Sequence, residues 1–333
     1  MSTIRITGTG SALPGRIVTN KELEQMVETS DEWIRERTGI AERHVSVGET
    51  VVTLASEAAR KALEQAGKTA EEIDLILVAT CSPEQYLPCC ACQVQADIGA
   101  VKALAFDVNA ACSGFLFALN TADAYLRTGL AENALIIGSE VLSKLVDWTD
   151  RGSCILFGDG AGAVVVERCK AAGILGRALR SDGTGGGVLQ CGARELTTPY
   201  ARASAAKTDQ NQPTDGREYF IQMDGQEVYR FATRRVPQCI EEALADAGLT
   251  AADIDLFVLH QANVRIIDAV AKRLHADREK FPTNLDRVGN LSSASIPVLL
   301  DELCRQGKLH RGDRVVLAGF GAGLTIGACV MTW

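Results

Sequence analysis

The strongest constraint on this chain is that part of it is written twice. The segment from Ala62, ALEQAGKTAEEIDLILV, and the segment from Ala243, ALADAGLTAADIDLFVL, agree at about half their positions without a gap. Each reads as the end of a helix, a turn and an apolar strand. A second echo joins ALIIGSE and FGDGAGAVVVE, near residues 134 to 167, to RVVLAGF and GFGAGLTIGACV, near residues 314 to 330. In both, an apolar β-rich run meets glycines and continues as another apolar run, the pattern of buried neighbouring strands. A chain that repeats a helix–strand unit is an α/β protein of two like halves, here 1–170 and 171–333.

At 333 residues there is enough chain for two closely packed halves with a large shared core. A net charge of −8 excludes a nucleic-acid or anionic-membrane surface as the main partner, because such surfaces need clustered positive charge. No apolar run approaches the eighteen or more residues of a membrane span. MSTIRITGTGSALPG at the start lacks the basic and apolar regions of a secretory leader, so a cytoplasmic protein is expected. The eleven cysteines are odd in number and spread through apolar segments, and they read as buried free thiols rather than a disulfide framework. CCAC at 89–92 has a CxxC spacing with Cys81 upstream, but no second ligand pair, so no metal is expected. GTGSALPG and GDGAGA are incomplete as dinucleotide fingerprints and read as tight turns. The polar stretch 183–219 is expected to be a solvated surface excursion, with a functional lid as the alternative.

Three residues stand where chemistry could be done. ALAFDVNAACSGFLFALNTADAYLRTG reads as a strand, a turn and a helix beginning near Ser113, which puts Cys112 at the helix mouth. There the orphan N–H groups and the helix dipole favour thiolate, although a small buried residue filling a tight turn explains the position equally. His260 ends the repeated strand IDLFVL, where the first copy has Ala79. Ligands bind outside strand ends in α/β sheets, and a buried structural histidine is the competing reading. Asn290 follows a glycine turn before a helix, as an ordinary cap or turn residue also would. His44, His275 and His310 read as surface residues. Together Cys112, His260 and Asn290 make a nucleophile with two neutral hydrogen-bond donors, a set suited to thioester chemistry.

NAACSGF, HQAN and GN followed by SSAS closely resemble the active-site motifs of β-ketoacyl-acyl-carrier-protein synthase III. TSDEWIRERTGI, TDRGSCILFGDGAGA and GFGAGLT extend the likeness nearly end to end. The resemblance implies the thiolase fold, a duplicated five-layer αβαβα arrangement, and a homodimer. It implies that Cys112 takes a short acyl group, such as acetyl, from coenzyme A. His260 and Asn290 then bind malonyl-acyl-carrier protein as carbon dioxide leaves, giving 3-oxoacyl-acyl-carrier protein and initiating fatty-acid synthesis.

By the same likeness the N–H groups of Cys112 and Ala322 form an oxyanion hole, and Phe320 shields the thiolate. Trp33 and Arg151 flank the adenine of coenzyme A, with Arg37 near its phosphates. Arg265, with Lys272 on the same basic helix, docks the acidic carrier protein. Leu87 stands where many relatives have a phenylalanine that limits the partner subunit's acyl pocket. No cofactor is implied beyond the coenzyme A thioester itself. A polyketide or quinolone starter-unit synthase is the nearest alternative, and a non-catalytic acyl-thioester binding module a more remote one.

Overall fold

The structure, a computed structural model, describes residues 3–170, 173–193 and 216–333. Its backbone is built around two sheets. The first comprises β1 (Thr3–Ala12), β2 (Leu75–Ala79), β3 (Leu104–Val108), β4 (Asn133–Glu140) and β5 (Gly160–Cys169), in the order β1-β5-β4-β2-β3. The second comprises β6 (Ile174–Ser181), β7 (Leu256–Leu259), β8 (Arg314–Gly321) and β9 (Thr325–Thr332), in the order β6-β9-β8-β7. In each, a parallel pair, β2–β4 or β7–β8, is followed on the β4 or β8 side by two antiparallel strands, β5 then β1 or β9 then β6, while β3 lies parallel to β2 on the other side in the first sheet. The second sheet is the first without its β3.

Seven helices position the site: α1 (Asp31–Thr38), α2 (Val51–Ala66), α3 (Cys90–Ile98), α4 (Gly114–Arg127), α5 (Gly225–Ala247), α6 (Val264–Arg273) and α7 (Ser295–Arg305). Phe115, Leu116 and Leu119 of α4 join Ile296, Leu299 and Leu303 of α7 in one buried cluster, which also takes Leu75 and Leu77 from the first sheet and Val315 and Leu317 from the second. The two helices therefore lie between the sheets. Alternate strand residues point the other way: Ile76 and Val78 pack under α2 and α3, whereas Phe257 and Val316 pack under α5 and α6. The result is five layers, α, β, α, β, α, as expected of the thiolase fold.

The written repeat is one structural unit used twice. Helices α2 and α5 both end on a glycine in the left-handed region, Gly67 at φ 64° and Gly248 at φ 67°. Each continues through a short turn opened by a capping threonine, Thr69 or Thr250, into its strand. The likeness extends to contacts outside the repeat. A Cβ on Gly8 of β1 would stand 2.3 Å from the Ala62 carbonyl, and one on Gly176 of β6 would stand 2.3 Å from that of Ala243. Glycine at these two places lets a helix lie directly on a strand backbone.

All eleven cysteines are free. Not all are buried, however: Cys92 and Cys191 are exposed, which corrects the expectation of uniformly buried thiols. Cys92 lies on α3 with its thiol turned toward the Ala105 carbonyl of β3, 3.6 Å away, at the open edge of the first sheet. His44 is half-buried rather than on the surface, its Nδ1 lying 2.6 Å from the Pro14 carbonyl. Among the described residues no group of three or more His, Cys, Asp or Glu side chains is placed to hold a metal ion, and no helix is long and apolar enough to cross a membrane. Of the 183–219 stretch, residues 194–215 lie outside the described residues. The flanks are ordered as a two-strand ribbon in which Leu189–Gln190 pairs with Gln222–Met223.

Candidate active site

Cys112, His260 and Asn290 come from three separate loops, each beyond the carboxyl end of a strand or at the entrance of a central helix. Strand β3 stops at Val108, and the chain turns through Ala111–Ser113 before α4 begins at Gly114. Ala111 takes φ 47° to make that turn. A non-glycine residue held there costs about 1–3 kcal/mol. Burial of Phe115, Leu116 and Leu119 on the following helix, at about 1.5–3 kcal/mol each, more than offsets it. The turn leaves Cys112 at the helix mouth with 9% of its surface exposed.

His260 follows β7, and its backbone N–H donates to the Ala318 carbonyl at 2.8 Å. Its ring meets Phe320 edge-on, with centroids 5.4 Å apart. Nδ1 is buried without a partner among the described residues. A bare lone pair tolerates that better than an unpaired N–H, so the proton belongs on Nε2, the nitrogen left to face the cavity. Burial lowers the imidazole pKa to about 3, so the ring is neutral at physiological pH. Asn290 is fastened by its own backbone, which exchanges hydrogen bonds with Leu156 and Gly158. Its Oδ1 accepts from the Ser292 N–H at 2.8 Å, which orients the amide and leaves Nδ2 as donor.

These three residues line a single cavity of about 1040 Å³, together with Phe320. The cavity runs out to Trp33 and Arg37 on α1. At its mouth the Arg151 guanidinium lies 5.0 Å from the centre of the Trp33 ring, and that of Arg37 lies 5.9 Å away. At that distance the Trp33–Arg151 pair is closed, with no room for an aromatic base between them. A smaller cavity, about 220 Å³, opens beyond Cys112 and is lined by Leu142, Leu145, Ile221 and Ala322. Leu87 lines neither cavity of its own chain and stands 85% exposed, so its place in an acyl pocket is not met within one subunit.

Helix position was expected to favour the Cys112 thiolate, yet burial pushes the thiol up to about 12, opposed by the Ser292 hydroxyl, reinforced by the Glu140 carboxyl and opposed again by its own N–H. Loss of water outweighs the partial charge at a helix end. With that shift Cys112 rests as a thiol. Among the described residues only Ala111, His275 and Ser292 are non-glycines with positive φ, so alanine is unstrained at 322.

Gly321, Glu140 and Ser292 also belong to the site. A Cβ at Gly321 would fall 2.6 Å from the Cys112 nitrogen and 3.2 Å from that of Ser113, so only glycine keeps those N–H groups open. Its signal was the GFGAG run itself. Glu140 is fully buried at the end of β4, and a lone acid closing an apolar strand was the mark it left in the sequence.

The C-terminal model of 3-oxoacyl-[acyl-carrier-protein (ACP)] synthase III matches residues 244–333, and a second model of the same enzyme matches residues 106–183. The β-ketoacyl-[acyl-carrier-protein] synthase III of Clostridium acetobutylicum is 46% identical over 100% of this chain and 99% of its own. That of Desulfitobacterium hafniense is 48% identical over 100% and 98%. The crystal structure of 3-oxoacyl-[acyl-carrier-protein] synthase III from Aquifex aeolicus superposes with a TM-score of 0.90 at 41% identity, covering 99% of this chain and 100% of that one.

Proposed function

The chain belongs to the β-ketoacyl-[acyl-carrier-protein] synthase III family of condensing acyltransferases, and from that premise we propose that Cys112, His260 and Asn290 join a short acyl group from coenzyme A to malonyl-acyl-carrier protein. The observation that carries this is their meeting on the wall of one cavity that reaches Trp33 and Arg37.

Cys112 sulfur attacks the acyl-CoA carbonyl while the N–H groups of Cys112 and Ala322 hold the oxyanion, and Gly321 leaves the room for it. The thiol proton ends on the departing coenzyme A sulfur, so this half-reaction needs no net proton from solvent. That suits a thiol kept protonated by burial. The acyl chain then occupies the smaller cavity. In the second half-reaction the malonyl thioester carbonyl sits between His260 Nε2–H and Asn290 Nδ2–H. Both donors are neutral and stay in place as the carboxylate leaves as carbon dioxide and the oxygen becomes an enolate. The enolate carbon attacks the acyl-cysteine, and Cys112 sulfur leaves and takes up a proton. Phe320 screens the site from water.

Trp33, Arg37 and Arg151 hold coenzyme A by stacking and charge. Arg265 and Lys272, exposed on α6, receive the carrier protein; the buried face of that helix, Ile266, Ile267 and Val270, fixes their direction. Residues 1–170 and 171–333 are the two thiolase-like halves of a homodimer subunit, paired at the open edge of β3, with Leu87 reaching the partner subunit's pocket. No cofactor is required, and the location is cytoplasmic. The priming β-ketosynthase of the R1128 polyketide pathway, 35% identical, is less similar than the synthase III relatives at 44–48%, so fatty-acid initiation is favoured.

The test is release of labelled carbon dioxide from malonyl-acyl-carrier protein by the purified chain. Release that depends on added acyl-CoA and yields 3-oxoacyl-carrier protein supports the reading. No release with any short acyl-CoA contradicts it.

A further inference from the structure

We propose that Glu140 and Ser292 form a positioning pair behind the reacting groups, Glu140 anchoring the turn that presents Asn290 and Ser292 handing its hydroxyl to Cys112. Glu140 is fully buried, and donors converge on it from two sides. Thr80 Oγ1 at 3.2 Å, the Cys81 N–H at 3.1 Å and Ser82 Oγ at 2.5 Å come from the loop after β2. Ser292 Oγ at 3.0 Å and Ser293 Oγ at 2.8 Å come from the turn before α7. The Ser293 proton is shared with the Ala79 carbonyl, also at 2.8 Å. A carboxyl bound in this way ties the end of β2, the end of β4 and the α7 turn into one rigid block.

Ser292 is where that block meets the chemistry. Its backbone takes φ 49°, a conformation a serine holds only when its surroundings enforce it. From there its N–H fixes Asn290 Oδ1 at 2.8 Å, while its hydroxyl, bonded to Glu140, lines the same small cavity as the Cys112 thiol. One hydroxyl proton serves both: it points to the Glu140 carboxyl when Cys112 is a thiol and is free to turn to sulfur as negative charge develops there. The ionisable groups that face Cys112 are Glu140 from β4, Cys81 from the loop after β2 and His260 from the loop after β7. The two members of the pair act on the sulfur in opposite senses. Glu140 opposes negative charge on it, and the Ser292 hydroxyl favours it.

This rests on Cys112 being the acyl acceptor, but alkylation reports its thiol whether or not the chain condenses thioesters, so the two readings fail separately. The experiment is the rate of iodoacetamide alkylation of the Cys112 peptide, read by mass, across the neutral to alkaline range in the full chain. Glu140→Gln is expected to raise the rate at neutral pH about tenfold, by moving the titration about one unit down, and Ser292→Ala to lower it by a similar factor. Glu140→Asp, which keeps the carboxyl, is expected to stay near the parent. Unchanged rates, or shifts in one direction for both Glu140→Gln and Ser292→Ala, would overturn the proposal. If Glu140→Gln does not fold, the direction in Ser292→Ala decides alone: slower alkylation supports the pair, and an equal or faster rate refutes it.

Discussion

The strand β2 ends on Ala79, packed under α4, whereas its counterpart β7 is followed by His260, open to a cavity. The two halves keep one register from there to the ends of β4 and β8: Asn109 falls on Asn290, Ala111 on Ser292, Cys112 on Ser293 and Glu140 on Gly321. Both turns take the same strained conformation, φ 47° at Ala111 and 49° at Ser292. Each is met by the last residue of a strand, and there the copies part. Gly321 leaves the N–H groups of the Cys112 turn uncovered, while Glu140 fills the matching space with a carboxyl that binds Ser292 and Ser293. The scaffold is shared, and the proposed chemistry sits where the copies differ. A symmetric chain would own two half-sites, each with a turn and neither with both a nucleophile and an open anion pocket.

Making the halves alike again should therefore break the enzyme in a graded way. His260→Ala gives the second copy the residue of the first. It should lower condensation by about 10³-fold, since one preorganised donor to a developing oxyanion contributes about 10²–10³. Single-turnover release of carbon dioxide from preloaded enzyme measures it, and a loss below about tenfold would mean that Asn290 suffices.

Gly321→Ala pushes a methyl against the Cys112 nitrogen and should slow acyl loading by about 10²-fold, the size expected of a displacement near 1 Å at the reacting atoms. Loading measured by mass against time checks it; an unchanged rate would place the acyl oxyanion elsewhere. The smallest effects belong to the conserved part of the comparison. Gly8→Ala and Gly176→Ala each force a helix off a strand and should cost about 1–3 kcal/mol of stability, by similar amounts. Thermal unfolding of the two variants side by side shows whether the halves are mechanically equivalent, and a clear inequality would show that they are not.

What could be read beforehand follows the same division. The repeated ALEQAG and ALADAG segments carry their own geometry, because a helix end, a glycine cap and a strand are local structures, and this made the duplicated α/β architecture legible. Cys112, His260 and Asn290 were legible as candidates because each breaks a local pattern or sits in a recognisable motif. Their meeting was legible only through the family resemblance, since it depends on the packing of two sheets against α4 and α7.

The protonation of Cys112 was misjudged for a similar reason. The helix mouth is visible in sequence, but the dryness of the site and the Glu140 carboxyl behind it come from distant segments. Leu87 shows the remaining gap, an exposed side chain whose contacts belong to a second subunit in the proposed dimer.

The most direct trial of the central claim is the mass of the intact chain after mixing with acetyl-CoA, for the parent, Cys112→Ser and Ser293→Cys. Replacing Cys112 by the residue of the other half should abolish the single acetyl adduct, and Ser293→Cys should gain none, because Glu140 occupies the place that Gly321 leaves empty. A full adduct on Cys112→Ser, or a second adduct on Ser293→Cys, would contradict the account.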